Sequence, residues 1–254
     1  MSGAAAAWPY PRWIAHRGAG RLAPENTLAA FRVGASHGFR AFECDVKLSA
    51  DGVPFLLHDA ALDRTTDGNG PAGALDWGRL SRLDAGRWHG RAFVGEPLPS
   101  LEAIARWCVA NGHALDLEIK PSPGHEHETG GVVAEAAARH FAGTALPPLL
   151  TSFRPDALAA AREAAPGLPR GLLLDTLRDG WLDEALALGC GAVVTHFALM
   201  DAALCQRLHD RGLAALVYTV NDPAEAIRQH ALGIDGIVTD AVDRFAPGRA
   251  QGGA

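Results

Sequence analysis

The chain lacks a basic surplus: 23 Lys and Arg stand against 29 Asp and Glu, a net charge of −6. Phosphate backbones are held by clustered Lys and Arg, so nucleic acid is not an expected partner. No run of 18 or more apolar residues exists, which excludes a membrane-spanning helix, and no stable membrane association is expected. The N-terminus, MSGAAAAWPYPRW, has no basic start, and its four alanines are too few for a secretory core, so the expected location is the cytoplasm. Cysteines are few and scattered: Cys44, Cys108, Cys190 and Cys205 form no CxxC pair and have no His at zinc-site spacing. They read as small buried hydrophobes in a reducing compartment. What remains is an ordinary globular composition, 48% hydrophobic and 20% charged over 254 residues, enough to bury a sizeable core. Oligomeric state stays open, a homo-oligomer included.

Chemistry-bearing residues concentrate in 13–59, WIAHRGAGRLAPENTLAAFRVGASHGFRAFECDVKLSADGVPFLLHD. His16 and His58 bracket a carboxylate pair, Glu43 and Asp45, and each sits at the end of a short apolar run. WIAH (13–16) reads as a strand. Asn26 is a candidate N-cap for a helix over about 27–37 that stops at Gly38. RAFECDV (40–46) is a second strand, and Asp51-Gly52 marks a hairpin turn before PFLLH. Residues 60–99, with seven Gly, three Pro and poor periodicity, read as an insertion of turns with one short helix. Ser100 then caps LEAIARWCVAN.

From ALDLEIK (114–120) onward, strands alternate with helices: strands at 148–152, 171–174, 191–195, 214–220 and 235–239, and helices at about 128–141, 155–164, 179–188, 200–211 and 222–231. A short terminal helix is expected after the last strand, and disordered tails at about 1–9 and 247–254. Such alternation predicts a parallel sheet. Nine strand-like runs are one too many for an eightfold barrel. The short link from Lys47 to Val53 resolves the surplus, because a parallel crossover needs a dozen or more residues. PFLLH must therefore be the return arm of a hairpin. The fold class is thus α/β, a (β/α)8 TIM barrel with an insertion after the second strand and its hairpin, in one domain. A doubly wound sheet is the runner-up and lacks a Gly-rich phosphate loop after the first strand.

In such a barrel the strand C-termini form the active rim. Glu43 and Asp45, two apart, share a face, and Glu118 and Lys120 repeat the spacing on the next barrel strand. Three carboxylates in one mouth call for a hard divalent cation with oxygen ligands, Mg2+ or Ca2+ rather than zinc, with Mn2+ also allowed. The bland alternative pairs Glu43 or Glu118 with Arg17 or Lys120. His16 and His58 flanking a metal suggest general acid and base. Arg17 and Lys120 favour an anionic substrate, most simply a phosphate ester. Tyr218 is either an aromatic wall or packing under the rim, and His196 is left open as a rim residue. The HEHE run at 125–128 reads as a solvated loop.

These residues carry a family pattern. HRG (16–18), PENT (24–27), E-C-D-V (43–46), S-A-D-G (49–52), H-D (58–59), L-x-R-T-T-D-G (62–68), E-I-K (118–120), S-F (152–153), T-V-N (219–221) and I-V-T-D (237–240) resemble the glycerophosphodiester phosphodiesterase family, from about residue 13 to 245. The resemblance implies a TIM barrel that hydrolyses small glycerophosphodiesters to sn-glycerol 3-phosphate and an alcohol. It implies metal ligands Glu43, Asp45 and Glu118, an acid/base pair His16 and His58, and phosphate contacts from Arg17 and Lys120. Two positions depart from the pattern: Ser49 replaces Thr, and Tyr218 replaces Trp. Rival readings are a lipid-cleaving phospholipase D- or C-like barrel and a catalytically silent phosphodiester-binding barrel.

Overall fold

A computed structural model describes residues 8–245 and 247. The expected tails fall largely outside them. Eight parallel strands close into a barrel: β1 (Trp13–Ala15), β2 (Ala41–Leu48), β4 (Ala114–Ile119), β5 (Leu149–Ser152), β6 (Arg170–Leu174), β7 (Ala192–His196), β8 (Ala214–Tyr218) and β9 (Gly236–Thr239). The ring shuts where β1 pairs with β9 on one side and β2 on the other. β3 (Pro54–Leu56) stands outside the ring, antiparallel to β2 in the register Val46↔Leu56. The expectation of a hairpin arm holds, and the fold is a (β/α)8 TIM barrel. Among the described residues no helix is long and apolar enough to cross a membrane.

The helices are α1 (Leu28–Ser36), α2 (Trp77–Leu80), α3 (Leu101–Asn111), α4 (Glu126–His140), α5 (Pro155–Ala164), α6 (Trp181–Ala187), α7 (Ala202–His209) and α8 (Pro223–Ala231). Strand alternation divides the core. On β2, Phe42, Cys44 and Val46 pack outward with Phe31, Ile104 and Leu117 beneath the helices, while Ala41 joins Ile14, Ala114, Leu173, Leu216 and Val238 in the barrel lumen. All four cysteines are buried and free. Residues 60–99 bury their own cluster of Leu62, Ala72, Leu80, Ala85 and Leu98 around Phe55 and Leu57. This cluster clamps the return arm just before His58.

Three local expectations are corrected. Asn26 is not the cap of α1: Thr27 is, its hydroxyl accepting from Ala30 N at 3.2 Å. Asn26 instead sits at φ 59°, a conformation Asn tolerates, and turns its amide toward β2. The HEHE run is largely helix, since Glu126 starts α4 and Glu126 and Glu128 complement the dipole of its first turn. After β9 a single turn at 242–244 replaces the expected helix. Phe245 stacks on Trp13 at 4.6 Å, and one turn cannot repay helix nucleation on its own.

Candidate active site

The parallel register of β2 and β4 sets Glu43 beside Asp116 and Asp45 beside Glu118. All four point into the top of the lumen. One oxygen from each of Glu43, Asp45 and Glu118 lies within 4.8 Å of the others, and the three side chains are buried. Glu43 Oε2 accepts from Arg17 N at 3.0 Å, and Asp45 Oδ2 accepts from Asn26 Nδ2 at 2.8 Å. Glu43 Oε1 and Asp45 Oδ1 are left buried with no hydrogen-bond partner. Orphaned buried carboxylate oxygens are costly, and hard oxygen donors facing one point are what Mg2+ or Ca2+ requires. The set fits a divalent cation.

Electrostatics agree. Burial pushes Glu43 well above the carboxylate range, with Asp45 and Glu118 adding to it. Burial, then Asp45, raises Glu118 to about 7 against the pull of Lys120. Asp116, also pushed to about 7 by burial, accepts from Thr151 Oγ1 at 2.7 Å. Burial would raise Asp45 as well, but Arg17, Lys120 and His58 together hold it well below the usual range.

The chain has only two lysines, and both are here. Lys120 Nζ lies 2.6 Å from Glu118 Oε1 and 3.3 Å from Asp45 Oδ1. Lys47, lowered by burial, donates to Lys120 O at 3.0 Å and so steadies the strand end. Arg17, at φ 51°, pairs with Glu25 at 2.8 Å and reaches within 3.3 Å of Asp45. The bland pairing and the metal reading therefore coexist: the cations partly neutralise the carboxylates, while Glu43 Oε1 has no partner and Asp45 Oδ1 has only the longer Lys120 contact.

Each histidine is tethered by a carboxylate. His16 Nδ1 meets Asp240 Oδ1 at 2.6 Å, and Asn221 Nδ2 donates to Asp240 Oδ2 at 3.0 Å. His58 Nδ1 meets Asp59 Oδ1 at 2.7 Å. A carboxylate can only accept, so Nδ1 carries the hydrogen in both rings and Nε2 is free for the cavity. His16 Nε2 stands 3.7 Å from Glu43 Oε2. Burial, helped by Arg17 and Lys120, lowers His58 against the opposing pull of Asp45 and Asp59. Asp59 is itself held down to about 2, first by its hydrogen bond from Arg64.

A cavity of about 220 Å3 collects His16, Arg17, Glu43, His58, Glu118, Lys120 and Tyr218. Of the eight residues singled out from sequence, only Asp45, which is fully buried, does not line it. Tyr218 donates to Leu174 O at 3.2 Å and turns its ring edge-on to Phe153, so it is both wall and packing. His196 does not reach the cavity: its Nδ1 accepts from Ala198 N at 3.3 Å and its ring leans on Phe197. His125 and His127 are exposed and pair with Glu128 and Glu163.

The residues given no site role from sequence, although each lies in a quoted motif, are the tethers: Asp240, Asn221, Asp59, Asn26, Glu25 and Arg64. Arg64, from the insertion, bonds Asp59 at 2.6 and 3.1 Å and Glu25 at 2.8 and 2.7 Å. One guanidinium thus ties the carboxylate behind His58 to the carboxylate holding Arg17.

The profile of the glycerophosphoryl diester phosphodiesterase family matches residues 16–244. A similar curated protein is YhdW of Bacillus subtilis, 32% identical over 236 residues that cover 91% of this chain and 94% of that one. A glycerophosphodiester phosphodiesterase of Caldanaerobacter subterraneus is 29% identical over 89% of this chain and 93% of its own. Among solved structures, a phosphodiesterase of Oleispira antarctica in complex with its product sn-glycerol-3-phosphate superposes with TM-score 0.88 at 33% identity, covering 93% of this chain and 95% of that one.

Proposed function

The chain belongs to the glycerophosphoryl diester phosphodiesterase family, and on that premise we propose that it hydrolyses water-soluble glycerophosphodiesters to sn-glycerol 3-phosphate and an alcohol, with His16 and His58 as the acid/base pair. The observation that carries this reading is the pair of tethered imidazoles, each with Nε2 free, lining one cavity with a buried carboxylate triad in which two oxygens form no hydrogen bond.

Glu43, Asp45 and Glu118 would hold one divalent cation, Mg2+ or Ca2+ by the hardness of their oxygens. When bound, that cation would neutralise phosphate charge as the transition state forms. Arg17 and Lys120 grip the phosphate from the same rim. One imidazole Nε2 removes the proton from the incoming oxygen, that of water or of the substrate's own glycerol hydroxyl. A P–O bond forms to that oxygen as the P–O bond to the alcohol breaks, and the other ring, entering as the imidazolium, hands its Nε2 proton to the departing alkoxide. Attack by the glycerol hydroxyl gives a cyclic phosphate, whose ring P–O bond water then breaks to give sn-glycerol 3-phosphate. Asp240 and Asp59 keep each ring in the tautomer this requires and stabilise it when charged. The product complex of the Oleispira relative supports the choice of product.

The test is glycerophosphocholine turnover, read as choline and glycerol 3-phosphate, after EDTA treatment and with Mg2+, Ca2+ or Mn2+ restored. Activity should vanish with chelation and return with one of the metals. His58→Ala should lower kcat by about 10²–10⁴. No turnover with any of the three metals, or near-normal turnover of His58→Ala, would overturn the assignment.

A further inference from the structure

A second cavity, of about 510 Å3, opens beside the catalytic one at the ends of β4, β5 and β6. The two share Glu118, Lys120, Phe153 and Leu173. The smaller cavity, about 220 Å3, already encloses the histidines and the phosphate-gripping residues, so the alcohol half of a diester must project out of it. The larger cavity is the adjoining space on the same rim. Its charges show what that half carries. Lys120 is engaged by Glu118, and Arg178 is engaged by Glu184. Arg154 and Asp175, on the loops after the paired strands β5 and β6, form no ion pair among the described residues. Asp175 uses one oxygen to accept from Thr176 Oγ1 at 3.1 Å and keeps the other free.

Resting on the phosphodiesterase reading, we propose that this cavity seats the leaving alcohol and selects a head group that bears both an ammonium and a carboxylate, as in glycerophosphoserine. The carboxylate meets the Arg154 guanidinium and the ammonium meets Asp175. Other head groups leave part of the cavity unused. A simple amine satisfies Asp175 and leaves Arg154 idle. A purely anionic head meets repulsion from Asp175. A quaternary ammonium seeks an open aromatic face, and the Phe153 ring already has Lys120 Nζ 5.6 Å from its centre.

The experiment compares kcat/KM for glycerophosphoserine, glycerophosphoethanolamine and glycerophosphocholine, using the whole chain with its activating metal. Solvent-exposed ion pairs contribute modestly, about two- to fivefold each, so glycerophosphoserine should lead glycerophosphocholine by about tenfold. Arg154→Gln should lower kcat/KM several-fold more for glycerophosphoserine than for glycerophosphoethanolamine. Asp175→Asn should lower both amine-bearing substrates relative to glycerophosphocholine. Both positions are exposed, so melting temperature should stay within a degree or two of the parent and separate recognition from folding. Equal kcat/KM for all three substrates, or an Arg154→Gln loss shared equally among them, overturns the head-group assignment and leaves the phosphodiesterase reading standing. Absence of turnover on all three with every metal overturns both.

Discussion

Replacing Arg64 by Gln should cripple catalysis far more than folding. The guanidinium makes four charge-assisted hydrogen bonds, two to Asp59 and two to Glu25. Where water is excluded each is worth about 1.5–3 kcal/mol. The Arg64 side chain is 45% exposed, however, so solvent reduces the total to about 1–2 kcal/mol of stability. That corresponds to a fall in Tm of about 2–8 °C for a chain of this size. The catalytic cost follows from what the two carboxylates do. Asp59 orients His58 and Glu25 orients Arg17, and a misplacement of about 1 Å at a reacting group costs up to about 10²-fold. We expect kcat to fall about 10- to 100-fold and KM to rise a few-fold, with Arg64→Lys recovering part of the loss. The pH profile separates this role from general support. The groups facing His58 are Asp45, Arg17, Lys120 and Asp59, and Arg64 now draws off much of the charge of Asp59. Without Arg64 that charge falls on His58 alone, so its pKa rises and the limb of kcat/KM that it controls moves to higher pH. Turnover from pH 5 to 9 and a thermal melt test this. Activity within twofold of the parent, or a loss with an unmoved limb, would refute the reasoning.

Chelated protein should lose stability as pH rises through the range set by its buried acids. Glu118 and Asp116 sit near 7 and Glu43 is raised as well, burial being the leading cause for each. A carboxyl raised above its unfolded value takes up a proton on folding, so its stabilising contribution is present at low pH and lost as pH climbs from the unfolded value of about 4.5 through 7. Asp45, held low, acts in the opposite sense only at more acid pH. Tm should therefore fall between pH 5 and 7 in EDTA and recover at pH 7 with excess divalent cation; a flat Tm that no metal raises would contradict this. Gly20→Ala should cost about 3 kcal/mol or more in a denaturant titration, because at φ 55° its Cβ would lie 2.2 Å from Asp240 Cα and O. Gly52→Ala, with nothing within 4 Å, should cost about 1 kcal/mol, and equal costs at the two sites would count against the packing argument.

The barrel was legible because its constraints are local. Alternating strand and helix patterns set the parallel sheet, and a link too short for a crossover forced PFLLH out of the ring. The carboxylates were legible for the same reason, since spacing of two on a strand places Glu43 with Asp45 and Glu118 with Lys120. What stayed hidden depends on side chains meeting across long separations. Asn26 is as good an N-cap as Thr27 by residue type, and only its reach across to Asp45 decides between them. Arg64 sits in a stretch without periodicity, and its value lies in bridging residues 25 and 59. The partner of His16 lies 224 positions away.

That separation explains why the first histidine can be held firmly by so short a strand. β1 has three residues, and it is the seam at which the ring closes. His16 N donates to Thr239 O at 3.0 Å and its ring is fixed by Asp240, so the last strand positions it. Arg17 N donates to Glu43 Oε2, so the second strand positions the next residue. Behind them α1 presents Gly34, where a Cβ would fall 2.1 Å from Gly18 O, which lets the loop lie flat against the helix. A catalytic group on an interior strand would need only its local neighbours. At the seam, the His16 tether and the Glu43 contact exist together only once the two ends of the chain have met. The geometry of His16, the proposed acid/base residue, is therefore a product of barrel closure itself, and perturbations at residues 237–240 should reach that histidine without touching any proposed metal ligand.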